Sequence, residues 1–168
     1  MELIVNVTEN WGIGCKDRLL VAISADLKRF RVLTTGKTVI LGRRTLATFP
    51  GGRPLKNREN IVLTRDPAFS AEGALAAHDL AELFALLRGK NTDDVCVIGG
   101  ASVYEQLLPY CARARVTKTY ITADADRFFP NLDKLTDWQV EQTSDVQEEN
   151  GVRFAYIDYV NLHPAPMA

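Results

Sequence analysis

The chain has 168 residues, 46% hydrophobic and 24% charged, which at about 150 residues per domain is one globular unit able to bury a core and hold a cleft, and excludes wholesale disorder. Its 20 basic and 21 acidic side chains leave a net charge of −1, so there is no bulk field to hold nucleic acid or an acidic membrane surface. The 3 cysteines, Cys15, Cys96 and Cys111, show no C-x-x-C spacing, which predicts reduced thiols in the cytoplasm rather than a disulfide framework or structural zinc, and no metal site is expected.

The amino end, Met1-Glu2-Leu3-Ile4-Val5-Asn6-Val7, is acidic at its start and only briefly apolar, unlike a signal peptide. No stretch approaches the ~18 apolar residues of a membrane span. Apolar, β-branched runs predict strands over residues 3–7, 38–41, 60–64, 95–98, 116–122 and 154–161, mostly in one sheet. Helical spacing predicts helices over 24–33, with Ser24 as N-cap and Leu27, Phe30 and Leu33 on an apolar face, over 80–88, and over 102–108. Strand and helix alternate to about residue 110, which predicts an α/β fold with a largely parallel sheet and helices on both faces. Beyond Pro109 two strand-like runs flank a polar, turn-rich segment (131–150), read as an antiparallel hairpin closing one edge. Pro164 and Pro166 mark a loose tail over 164–168, leaving 1–163 as the domain.

Four segments carry chemistry. Trp11-Gly12-Ile13-Gly14 reads as a loop after the first strand whose glycines permit close approach of a ligand. It is not a dinucleotide fingerprint, because the third glycine would fall at Asp17. Asp26 either complements the macrodipole of its helix or, at the edge of the apolar face, awaits a cationic or amidine-like ligand group. In Thr38-Val39-Ile40-Leu41-Gly42-Arg43-Arg44-Thr45 a strand ends at glycine before two arginines: a solvated basic turn, or, with Arg65 at the end of the next strand, a phosphate site on one sheet edge. Val97-Ile98-Gly99-Gly100-Ala101-Ser102-Val103-Tyr104 runs from strand through paired glycines into a helix, a cradle for a pyrophosphate. His78 reads as a surface residue. No triad order, H-E-x-x-H or P-loop supports a hydrolase or nucleotide triphosphatase.

In this order and spacing the segments W-G-I-G, D-L-K-R-F, G-K-T-V-I-L-G-R-R-T, F-P-G-G-R-P-L-K-N-R-E-N-I-V-L-T-R-D and V-I-G-G-A-S-V-Y-E-Q-L-L-P resemble the dihydrofolate reductase family along nearly the whole chain. The resemblance implies a single-domain sheet with an antiparallel carboxyl-terminal strand, and reduction of dihydrofolate to tetrahydrofolate with NADPH as cofactor. It implies a cytoplasmic monomer with a small-molecule substrate and neither nucleic acid nor membrane as partner. Asp26 looks like the carboxylate that bonds the pterin, and Thr117 like the hydroxyl that bonds this carboxylate. Ile4, Val5, Leu27, Phe30, Phe49, Leu55 and Ile98 match the apolar walls. Arg58 matches the arginine that takes the glutamate α-carboxylate, with Arg53 and Arg31 nearby. The cofactor side is matched by Asn6, Ile13, Gly14, Gly42, Arg43, Arg44, Thr45, Leu63, Thr64, Arg65, Gly99, Gly100, Ala101, Ser102, Val103 and Tyr104. Gly99 and Gly100 match a pair joined by a cis peptide, and Leu19 and Leu20 belong to the mobile loop over the nicotinamide, Leu19 as part of the catalytic set.

The chain departs from that pattern around the pterin. Val21 stands where the family has tryptophan, Leu20 where it has proline, Asn6 where it has alanine, Ala101 where it has a third glycine, and Thr119 where it has an apolar residue. Loss of the aromatic wall is expected to loosen the pterin site by about 1–3 kcal/mol. Alternatives are a reductase of the same fold acting on another pterin or on a pyrimidine intermediate, which Asp26 argues against, and a non-catalytic NADPH- or folate-binding paralogue.

Overall fold

The computed structural model describes residues 1–15, 18–19 and 23–168, with backbone alone at 15, 18 and 19. In chain order these form β1 (Glu2–Thr8), β2 (Gly12–Cys15), β3 (Arg18–Leu19), α1 (Ser24–Thr34), β4 (Thr38–Gly42), α2 (Arg43–Ala47), β5 (Glu59–Leu63), β6 (Ala74–Ala77), α3 (Leu80–Leu87), β7 (Val95–Gly99), α4 (Ala101–Leu107), β8 (Arg113–Thr119), β9 (Arg127–Phe128), β10 (Trp138–Thr143), β11 (Gln147–Glu149) and β12 (Val152–Asn161). The main sheet runs β10-β12-β8-β1-β7-β4-β5-β6, with β11 paired to β12. From β8 to β6 every pairing is parallel, whereas β12 runs antiparallel to β8. The predicted α/β architecture and antiparallel carboxyl-terminal strand are thus present.

The parallel strands are continuous apolar runs because both faces are covered. Ile40 joins Leu3, Val5, Val7 and Val97 in one core, while its neighbours Val39 and Leu41 join Val62, Cys96 and Ile98 in a second, as side-chain alternation requires. Cys96 and Cys111 are buried free thiols, pushed by burial up to about 11 and about 12, and so stay protonated and unreactive. Among the described residues no helix is long and apolar enough to cross a membrane.

Several expectations are corrected. The edge beyond β12 is closed by β10, inside the segment read as turns; beyond Trp138 its side chains are exposed, so backbone pairing without apolar alternation leaves little signal. β6 is a short alanine-rich edge strand, a composition with weak strand preference. Trp11-Gly12-Ile13-Gly14 is more than a loop, since β2 lies between β3 and β9 in a separate three-stranded sheet. The carboxyl-terminal tail is tied down: the Ala165 amide donates to the Pro109 carbonyl at 2.8 Å, and Met167 packs on the larger core.

The apolar face expected of α1 is present only in part: Phe30 packs on the second core. Leu27 is 55% exposed and Val32 79%, and of the helix only Thr34 is fully buried. Polar contacts add to this docking. Register lays Ile4, Arg115 and Asp158 in one row across the sheet, then Asn6, Thr117 and Tyr156, then Thr8, Thr119 and Phe154. Arg29 donates to Asp158 at 3.3 Å and stacks 4.0 Å over the Tyr156 ring. Ser24 is not the N-cap; that position is Ile23, which has no capping oxygen, and the Glu149 carboxylate of β11 accepts the first amides.

Candidate active site

Three strand residues and one helix residue make the centre of the site. Pairing of β1 with β8 sets Asn6 beside Thr117 and Thr8 beside Thr119, and the first turn of α1 brings Asp26 over them. The Thr117 hydroxyl donates to Asp26 Oδ1 at 2.5 Å and the Asn6 Nδ2 to Asp26 Oδ2 at 3.1 Å. Behind them the Thr119 hydroxyl donates to Asn6 Oδ1 at 2.8 Å. Thr117 and Thr119 are buried, whereas Asp26 and Asn6 keep an exposed part. With one protein donor on each oxygen, the carboxylate retains an acceptor position on each, the arrangement for a ligand offering two parallel N–H groups. Burial first, then the Asp26 charge, raises the Tyr104 and Tyr156 phenols, so both remain protonated. Asn6, expected against the cofactor, is also joined to the carboxylate; its half-buried strand position carried no signal of this second contact.

Beside the carboxylate Ile4, Phe30, Phe49 and Leu55 are partly buried against a cluster containing Ile98, an apolar wall. Val5 does not join it: its side chain points to the opposite core. Leu27 remains largely exposed. Arg58 donates from Nε to Thr34 Oγ1 at 3.1 Å and from Nη1 to the Lys56 carbonyl at 2.8 Å. Burial and the neighbouring Arg31 charge lower its pKa, a cation cluster that an anionic carboxylate would relieve. Arg31 and Arg53 are exposed.

On the same sheet edge, where β4, β5 and β7 end, lies a cleft of about 980 Å³. Ile13, Gly14, Gly42, Arg43, Arg44, Thr45, Leu63, Thr64, Arg65, Gly100, Ala101, Ser102 and Val103 line it. Backbones approach closely here: a Cβ on Gly42 would lie 3.3 Å from Val103 Cγ2, and one on Gly100 would lie 3.2 Å from Thr45 Oγ1. Gly99, joined to Gly100 by a cis peptide, and Tyr104 sit behind the lining; the Tyr104 hydroxyl donates to the Ile4 carbonyl at 2.6 Å. Arg43 is paired with Asp66 at 3.0 Å, while Arg44 and Arg65 have no ion-pair partner among the described residues. Two such guanidinium groups beside glycine backbones fit a phosphate-bearing dinucleotide.

The cleft also includes Thr48, His78, Gln106 and Arg127, which the sequence reading did not place there. His78 is half-buried rather than a surface residue, with Nδ1 3.0 Å from the Thr64 carbonyl; it follows β6, and only recognition of that strand would have put it on this edge. Leu19 is described in backbone alone, and Leu20 and Val21 lie outside the described residues.

The sequence profile of the family described as Dihydrofolate reductase matches residues 1–161. The dihydrofolate reductase of Neisseria meningitidis serogroup B is 34% identical over 94% of this chain and 96% of that protein. That of Drosophila melanogaster is 36% identical over 92% of this chain and 93% of that protein. Among solved structures, dihydrofolate reductase from Enterococcus faecalis complexed with NADP(H) and RAB-propyl superposes with a TM-score of 0.81 at 34% identity, covering 95% of each chain.

Proposed function

The chain belongs to the dihydrofolate reductase family, and from that premise we infer that it reduces 7,8-dihydrofolate to 5,6,7,8-tetrahydrofolate with NADPH. The observation that carries the site assignment is the Asp26 carboxylate, held on Oδ1 and Oδ2 by Thr117 and Asn6 with acceptor positions left over. Asp26 takes the ring nitrogen and 2-amino group of the pterin. Its charge, close to the ring, makes N5 easier to protonate, with the proton delivered through water. Ile4, Phe30, Phe49, Leu55 and Ile98 exclude water from the reacting faces. Arg58, with Arg31 and Arg53, holds the glutamate carboxylates.

The cleft on the β4, β5 and β7 edge holds the cofactor. Arg44, Arg65 and Arg43 take its phosphates with Thr45 and Thr64, and the amides around Gly100, Ala101 and Ser102 take the pyrophosphate. When bound, the nicotinamide supplies a hydride; the chain supplies orientation and a dry pocket. The chain makes up one catalytic domain, its last residues packed on the core, acting as a monomer with no role for nucleic acid; the net charge of −1 conceals arginines gathered around one cleft. The test is absorbance of the nicotinamide band in a mixture of protein, NADPH and dihydrofolate. Decay only with dihydrofolate present is expected; tight NADPH binding without decay for any pterin would mark a binding protein instead.

A further inference from the structure

Asn6 and Thr119 form a relay that ends on the Asp26 carboxylate, and we propose that Asn6 is a positioning residue for Asp26, held in its working orientation by Thr119. The inference rests on Asp26 being the pterin-binding group. An ionised carboxylate only accepts hydrogen bonds, so the end of the Asn6 amide that faces it is the nitrogen, 3.1 Å from Oδ2. The carbonyl end then points back to Thr119, whose hydroxyl donates to it at 2.8 Å. Thr119 is 0% exposed, so no solvent can substitute as its partner, and a buried hydroxyl is held to the partner it has. The amide is thereby fixed at both ends. Thr117 does the same for Oδ1 at 2.5 Å, and the two donors come from adjacent residues in the β1–β8 register. Between them they set the plane of the carboxylate. The acceptor positions left free define the direction from which two parallel N–H groups must approach, which selects ligands with an aminopyrimidine-like edge over those with a single N–H.

Four variants test this, each read as KM and kcat for dihydrofolate and as Kd for NADPH by fluorescence titration. Asn6→Ala is expected to raise KM for dihydrofolate about tenfold, the order of effect that loss of a positioning contact produces, with Kd for NADPH within twofold of the wild type. Thr119→Val is expected to raise KM in the same direction but less, and the double variant to be no worse than Asn6→Ala alone, because Thr119 acts only through Asn6. Thr119→Ser keeps the hydroxyl and is expected to restore the wild-type KM. Should Asn6→Ala fold poorly, the contrast between Thr119→Val and Thr119→Ser carries the test. A tenfold weaker Kd for NADPH with KM for dihydrofolate unchanged would overturn the proposal, as would strictly additive effects of the two substitutions. Asp26→Asn serves as the reference: full turnover in that variant removes the pterin-binding reading itself, whereas lost turnover there with an unaltered KM in Asn6→Ala removes only the role of Asn6.

Discussion

The Glu149 carboxylate, 125 positions from Ser24 in the chain, accepts the Ser24 amide at 2.8 Å, the Ser24 hydroxyl at 2.6 Å and the Ala25 amide at 3.2 Å. A side chain on β11 therefore does what the apolar Ile23 at the N-cap of α1 cannot. It satisfies the first two amides of the helix that carries Asp26, and so ties the carboxyl-terminal hairpin to the geometry of the site.

These contacts hold the Glu149 carboxyl below its ordinary range. A carboxyl lowered on folding contributes stability that is fully present above its unfolded value and lost as pH falls through the folded one. Glu149→Ala is expected to lower Tm by a few degrees at neutral pH, with the difference from wild type shrinking in acid below the ordinary glutamate range. Thermal melts across that range check it; a difference that does not change with pH would contradict it.

Asp26→Asn keeps the shape of the side chain and removes its charge. We expect native circular dichroism and a kcat with dihydrofolate reduced about a hundredfold or more near neutral pH, the scale of a lost acid–base contribution.

Removing Asp158 takes the ion-pair partner of Arg29 and one of the two carboxylates on Arg115, which keeps Glu2 at 3.3 Å. The Asp158 carboxylate receives Arg115 at 2.8 Å and Arg29 at 3.3 Å, with side chains 13% exposed for Asp158 and 24% and 21% for the two arginines. Partial exposure discounts the cost of a fully buried broken pair, so Asp158→Ala is expected to lose about 2 kcal/mol of unfolding free energy. Urea denaturation measures this. Because Arg29 lies on α1, three positions after Asp26, KM for dihydrofolate should also rise.

Gly42→Ala places a methyl 3.3 Å from Val103 Cγ2, between the end of β4 and α4. The expected outcome is a loss of about 1 kcal/mol from overpacking and a several-fold weaker Kd for NADPH, with KM for dihydrofolate little changed. Calorimetric titration separates the two ligands.

Arg44→Ala and Arg65→Ala each remove a guanidinium with no ion-pair partner in the cleft. Each is expected to weaken NADPH about tenfold, a charged hydrogen bond's worth, and to leave NADH nearly unaffected. Equal losses for both cofactors would place the contact elsewhere than on the distinguishing phosphate.

Much of this protein was legible in the chain because the signals were local. The apolar runs of β1, β4, β5, β7, β8 and β12 announce buried strands, and their alternation with helices announces a parallel sheet. The glycines and arginines after β4 and β7 mark the ligand edge, and Asp26 stands out as a carboxylate beside apolar positions. Where backbone pairing rather than side-chain burial makes the element, as in β10 and the alanine-rich β6, composition is silent, and with β6 went the placement of His78 in the cleft at the ends of β4, β5 and β7.

The bond from Thr117 to Asp26 was implied by the family resemblance, but the rest of the polar floor, Asn6 with Thr119 behind it, was decided by tertiary structure. Asn6 is a polar residue within the apolar run of β1 and Thr117 and Thr119 flank Lys118 in the mixed strand β8, and nothing in their spacing says that register sets them side by side. The helix above them was read with an apolar face; Phe30 supplies part of one, and Arg29, Asp26 and the Glu149 carboxylate that accepts its first amides dock the rest. Hydrophobic burial depends on residue type and period, so it can be read along the chain. Hydrogen bonds depend on angstrom distances between residues about a hundred positions apart, as from Thr119 back to Asn6, and these exist only once the sheet has closed.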